Sequence, residues 1–124
     1  WTVADLDDPA GTRRILVDVD TAFVGVDEDS SFVRCRATSA ILGRFDTAGP
    51  AGIHRGAVTL ELHYQDYVER RGFSWRHSIG ETLTLTLADT VGIVRVDNRY
   101  YAERWSPKEP SGQWSSHFAG SLVP

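Results

Sequence analysis

"ETLTLTLA", residues 81–88, decides how this chain folds: Leu83, Leu85 and Leu87 alternate with Thr82, Thr84 and Thr86 without a break. Successive side chains of a β-strand point to opposite faces, so period-two alternation collects the leucines on one face and the threonines on the other. The stretch therefore reads as a strand with one face for a core and one for water.

The same pattern extends outward. "GAVTLELHY", 56–64, sets Val58, Leu60, Leu62 and Tyr64 against Thr59, Glu61 and His63. In "FVRCRATSAIL", 32–42, Val33, Cys35, Ala37 and Ile41 oppose Arg34, Arg36 and Thr38. "RRILVDVDTAFVGV", 13–26, is β-branched, with a break or bulge expected near Asp20. "GIVRVDNRYYAERW", 92–105, reads as one long strand or two shorter ones, and "GQWSSHFAGSLV", 112–123, closes the series. No stretch sustains the i, i+3, i+4, i+7 spacing of a capped helix, so helix content is expected below ~10%. Turn-forming clusters break the chain at "DEDSS", "DTAGPAG", "RRG", "ADT" and "SPKEPSG". The longest irregular segments are then 46–55 and 106–112. The expected fold is all-β: one domain over residues 1–124, a single antiparallel β-barrel or sandwich of roughly seven to nine short strands.

Composition excludes several classes. A chain of 124 residues is one domain and can bury a core without metal or disulfide. Its net charge of −4 and pI near 5.5 oppose a broad nucleic-acid footprint, which needs concentrated positive charge. No apolar run approaches the ~20 residues of a membrane-spanning helix, and no signal-peptide pattern opens the chain. It starts at Trp1 and contains no Met, which reads as a trimmed or excised segment. The single cysteine, Cys35, excludes an internal disulfide and fits a reducing, cytoplasmic compartment. Twelve Arg against one Lys, and a single Asn, match the codon usage of a GC-rich genome.

Catalytic signatures are missing. His54, His63, His77 and His117 form no HExxH or paired His/Cys spacing, and no metal or cofactor is expected. There is no GxSxG elbow and no phosphate-cradling glycine loop. Cys35, between Val33 and Ala37 on an apolar face, reads as a small buried hydrophobe rather than a nucleophile.

The aromatic residues are the remaining signal. In "HYQDYVERRGFSWRH", 63–77, Gly72 marks a turn, after which Phe73, Trp75, His77 and Ile79 share one strand face. The aromatic cluster Tyr64, Tyr67, Phe73, Trp75, Tyr100, Tyr101, Trp105 and Trp114 suits three roles: packed core, the wall of a site for a hydrophobic small molecule, or a protein-contact patch. In the small-molecule reading Tyr64, Phe73, Trp75, Tyr100 and Trp114 line the site, and Arg76 and Glu61 orient a polar head group. Arg70, Arg71 and Arg76 beside aromatics also suit single-stranded nucleic acid. Asp66 and Glu69 favour local ion pairing at a hairpin tip instead.

"GRFD", 43–46, followed by Ala48-Gly49, Gly52-Ile53, Gly56 and "VTLEL", resembles the middle of allene-oxide-cyclase-like barrels. That group includes small spirotetronate cyclases, and the likeness spans residues 33–96 with an echo in "GQW", 112–114. The resemblance implies a small barrel with an apolar cavity and no cofactor. Catalysis there would act by holding a flexible polyene in a reactive fold, which needs no titrating residue. Two readings follow: a barrel that binds a hydrophobic small molecule and acts as a cyclase or isomerase, or a non-catalytic structural or interaction β-sandwich. Neither is incompatible with a homo-oligomer, and the residues leave open whether the chain is an enzyme.

Overall fold

A computed structural model describes residues 2–24, 30–70, 75–107 and 109–121. Six strands form one sheet: β1 (Arg13–Val24), β2 (Ser30–Gly49), β3 (Gly52–Arg70), β4 (Trp75–Ala88), β5 (Gly92–Ser106) and β6 (Glu109–Ser121). Each pairs antiparallel with the next, in the order β1-β2-β3-β4-β5-β6. No helix occurs among the described residues, so the all-β expectation holds.

The finer expectation is corrected in three respects. The described residues form six strands rather than seven to nine, and they are long, from 12 to 20 residues. The turn clusters fall where strands end, and irregularity inside the strands takes the form of register shifts: between Ile15 and Val17 rather than near Asp20, Ile41 and Gly43, Phe45 and Thr47, Thr86 and Leu87, and Arg104 and Ser106. A bulge holds an extra residue while the ladder continues on either side. Second, most of the segment expected to be irregular, 46–55, is a hairpin in which Gly49 pairs with Gly52 across Pro50 and Ala51. Gly52 makes that turn possible, since its φ of 124° is open only to a residue without a Cβ. Third, the sheet is open. Among the described residues β1 pairs only with β2 and β6 only with β5, so the sheet neither closes as a barrel nor stacks as two sheets.

Residues directly opposite each other across a ladder share a face. The register therefore sorts the whole sheet from one strand. One row runs Val19, Cys35, Asp66, Ile79, Ala102, Trp114 from β1 to β6. The next row on that face runs Val17, Ala37, Tyr64, Glu81, Tyr100, Ser116, and beyond it Ser39, Leu62, Leu83, Asn98, Phe118. This is the apolar face, and the leucines of 81–88 lie on it as their alternation requires. The other face carries Arg34, Arg36, Thr82, Thr84, Thr86, Arg95, Asp97 and Arg99. Its charges pair with one another: Arg34 with Asp20 at 3.0 Å, Arg36 with Asp18 at 2.9 Å, and His117 with Asp97 at 3.0 Å.

The core is small and lies at one end of the apolar face. Ile41, Val58 and Leu60 are buried, with Leu62, Leu87 and Ala4 packed against them. Ala4 comes from the segment preceding β1, which forms the only second layer over the sheet among the described residues. Backbone bonds anchor it: Gly11 N–H donates to Ile41 O at 2.8 Å and Ile41 N–H to Thr12 O at 2.9 Å. The Ser39 hydroxyl donates to Val3 O, and the Arg44 guanidinium donates to Leu6 O.

Candidate functional site

The half of the apolar face that the N-terminal segment does not reach holds Tyr64, Trp75, Tyr100 and Trp114, while Tyr67, Tyr101 and Trp105 lie on the opposite face, so the aromatic residues singled out from the sequence do not form one cluster. Tyr64, Tyr100 and Trp114 all project from it. Tyr64 and Tyr100 sit in one row with Glu81 between them, about 10 Å apart at two strand spacings. Trp114 stands in the adjacent row on edge strand β6, 47% exposed. Trp75 shares the face, but it pairs with Arg70 at the far end of β4, about 20 Å along the strand from the Tyr64 row. It stacks on His77, ring centroids 5.9 Å apart.

Arg76 is not part of this group. One residue on from Trp75, it projects from the opposite face, where its guanidinium lies 5.0 Å from the centre of the Trp105 ring. Glu61 is on that opposite face too, so neither residue can orient a head group held by Tyr64 and Trp114. Phe73, Gly72 and Arg71 lie outside the described residues. Cys35 has the flanks expected of it, Val33 and Ala37, but it is half-buried rather than sealed, because nothing lies over that part of the face.

Sequence reasoning missed three members of the face. Val17 and Val19 alternate with Asp18 and Asp20 on β1, and Phe118 follows Trp114 by four residues, so it shares the face on β6. Ile79, assigned from the sequence to the face of Trp75, lies between them in the row of Trp114. The alternation that located the leucines would have found all three. The exposure is large at both edges: Val17 36%, Val19 44% and Phe118 63%.

Two motifs behind the family resemblance have a local explanation. In "GRFD" the Phe45 ring lies over Gly43, so close that a Cβ there would meet it at 2.6 Å. Asp46 accepts a hydrogen bond from Gly56 N–H at 2.9 Å, and Gly56 has a φ of 61° beside a register shift. In "GQW" the Trp114 ring covers Gly112 in the same manner, and Phe118 covers Gly120. An aromatic ring laid over a glycine two residues away on the same strand shields backbone that has no side chain of its own.

Titratable groups show structural pairing. The Tyr64 hydroxyl donates to Asp66 Oδ2 at 3.3 Å. Its phenol is pushed up to about 12, first by burial of the hydroxyl against the sheet, then by hydrogen bonding with Cys35 and by the Asp66 charge. About a third of the residue remains exposed. The contribution of the protonated phenol is intact below its unfolded value of about 10 and is lost as pH rises through about 12. Replacing Asp66 with Asn should move the Tyr64 titration down. A spectrophotometric tyrosine titration checks this, and an unchanged curve would remove Asp66 from the causes.

The polar face has an open depression of about 710 Å³ around Thr59, Thr84, Arg95 and Arg99. The Asp97 carboxyl in it is held below the usual range, first by its hydrogen bond with His117 and also by Arg99. His63 Nδ1 lies 2.9 Å from Thr82 Oγ1, and Asp66 is on the other face, so those two residues cannot share a ligand. No group of three or more His, Cys, Asp or Glu side chains converges among the described residues. No helix there is long and apolar enough to cross a membrane. Comparison with family models, curated proteins and solved structures gives no match to this chain.

Proposed function

We propose that this chain is a non-catalytic interaction module that presents the uncovered half of its apolar sheet face to another protein layer. The observation that carries this reading is exposed area. The chain exposes 8343 Å², whereas a compact monomer of 13.8 kDa exposes about 6,600 Å². Part of the exposed apolar surface is gathered on one face, at Val17, Val19, Tyr64, Trp114 and Phe118, while Ile15, Phe45, Ile53 and Tyr101 are exposed elsewhere. Apolar side chains gathered on one face mark a docking site. A cyclase acting by substrate folding needs a cavity that surrounds its substrate. An open sheet with both edges free suits a flat partner better.

The test separates docking from core. Replacing Trp114 and Phe118 together with Ser should leave the urea midpoint nearly unchanged, since the two residues are 47% and 63% exposed. It should also abolish binding of an apolar fluorescent dye or self-association, whichever the parent chain shows. A parent that binds no dye and stays monomeric overturns the reading. One-to-one binding of a polyene lactone by the monomer, lost on Tyr64→Ala, would overturn it in favour of the small-molecule reading.

A further inference from the structure

We propose that β6 is a pairing edge whose partner is β6 of a second copy, joined antiparallel about a twofold axis through Ser116 so that the two sheets continue as one. This goes beyond the reading above and does not depend on what covers the apolar face.

An edge strand presents a row of unpaired backbone N–H and C=O groups, which proteins blunt with charge, proline or a bulge. β1 has that protection. It carries Arg13, Arg14, Asp18 and Asp20, and a register shift interrupts its ladder between Ile15 and Val17. β6 has none of it from Gly112 to Ser121. That run, "GQWSSHFAGS", contains no Asp, Glu, Lys, Arg or Pro. Its ladder with β5 is unbroken from the Arg104–Gly112 pair to the Arg95–Ser121 pair. Residues 113–119 are all exposed. The N-terminal cover packs on Ile41, Val58 and Leu60 of β2 and β3, with β4 and β5 in between, so it leaves this edge clear.

The residues that β6 sets on the apolar face select its partner. Gly112, Trp114, Ser116, Phe118 and Gly120 read glycine, ring, serine, ring, glycine in either direction. Two identical strands paired antiparallel are related by a twofold axis normal to the sheet, which keeps the apolar faces of both copies on one side. Residues directly opposite each other must present their backbone groups alike, so the axis passes through a residue. Through Ser116 it sets Trp114 opposite the other copy's Phe118, and Gly112 opposite its Gly120. No other axis gives both matches.

The rings already have the right posture. A Cβ at Gly112 would meet the Trp114 ring at 3.1 Å, and one at Gly120 would meet the Phe118 ring at 3.2 Å. Within one copy the two rings therefore lean away from Ser116 in opposite directions. Across the axis, Trp114 and the other copy's Phe118 lean the same way and stand side by side over one pair of facing glycines. Aromatic pairs across strands stabilise antiparallel ladders, and rings shelter glycines at sheet edges in this manner. On the polar face Ser115 meets His117 and Gln113 meets Ala119, so no charge opposes its own sign. Pairing β6 with β1 of another copy would instead join the smooth edge to the bulged, charged one, and would leave edges free to add copies without end.

Sedimentation and crosslinking test the pairing. The parent chain should sediment as a dimer. Ser116→Lys should sediment as a folded monomer, because two lysines then meet directly across the axis. That monomer should still bind an apolar dye, since its apolar face is intact. In a Cys35→Ser background, Ser116→Cys should give disulfide-linked dimers on mild oxidation. At the axis a residue meets its own copy at about 4.5–5.5 Å between Cα atoms, within disulfide reach. Gln113→Cys should give none, its two copies lying about 20 Å apart along the strands. A mixture of Gln113→Cys and Ala119→Cys should crosslink. The cysteine variants decide the outcome if Ser116→Lys fails to fold. A monomeric parent overturns the proposal, and dye binding by that monomer would leave the face reading standing. A dimer that survives Ser116→Lys, or that crosslinks at Gln113 alone as readily as at Ser116, places the contact elsewhere and also overturns it.

Discussion

Ile41→Ala should lower the unfolding free energy by about 3–5 kcal/mol, near the top of the range for truncating a buried aliphatic side chain. Ile41 is 2% exposed and forms the core with Val58 and Leu60. In a two-layer protein such a loss is shared with many other buried side chains. Here no bulky side chain is completely sealed, and the small cluster around Ile41 is what ties the sheet to its N-terminal cover. The residue also sits beside a register shift, and its backbone exchanges hydrogen bonds with Gly11 and Thr12, so the surroundings have little freedom to close a cavity. A domain of this size has about 5–15 kcal/mol of stability in total. The variant therefore risks being partly unfolded at ambient temperature. Urea unfolding at matched protein concentration measures the loss, since a self-associating chain gains stability with concentration. Leu42→Ala, one residue away but 43% exposed, is the control and should cost well under ~1 kcal/mol. Equal losses at both positions would show that the face assignment at this end of β2 is wrong.

How far the sequence revealed this fold depended on what alternation can specify. Period two assigns each side chain to a face, and it did so correctly for Leu83, Leu85 and Leu87, for Val58, Leu60 and Leu62, and for Cys35 with Val33 and Ala37. It also separates Arg76 from Trp75, a consequence that the grouping of both in one site overlooked. The named turn clusters fall between the described strands, but strand lengths were less legible: Gly80 sits inside β4 with open space where a Cβ would be, and the ladder runs through it. Closure was not legible at all. Alternation says that a strand has an apolar face but not what covers it, and the same pattern serves a barrel, a sandwich or an open sheet awaiting a partner. The aromatic residues shared that ambiguity. Trp114 and Phe118 reach solvent while lying over their own glycines, an arrangement decided by spacing within one strand rather than by a ligand.

Removing the chain through Asp8 should cost about 2–4 kcal/mol and widen the exposed apolar face. The segment contributes little surface of its own, but it closes the only second layer among the described residues. Ala4 packs on the Ile41 cluster, the buried Ser39 hydroxyl donates to Val3 O, and Arg44 donates to Leu6 O. Asp8 Oδ2 accepts from Arg14 Nε and Nη2 at 3.2 and 2.7 Å, and this raises the Arg14 guanidinium above its ordinary value. Two hydrogen bonds from side chains to the segment's carbonyls are worth about 1 kcal/mol each. Apolar surface returned to water adds about 25 cal/mol per Å², which for a patch the size of Ala4 and its footprint is another 1–2 kcal/mol. The Arg14–Asp8 pair is partly exposed and screened by solvent, so Asp8→Ala alone should leave the urea midpoint nearly unchanged. The contrast between truncation and point variant locates the effect in coverage rather than charge. Urea unfolding reads the loss, and apolar dye binding reads the new surface: the truncated chain should bind more dye than the parent at the same concentration. A truncated chain with an unchanged midpoint and unchanged dye binding would mean that the segment merely rests on the sheet. The Ile41 cluster would then have to be covered by whatever protein layer covers the remainder of the face.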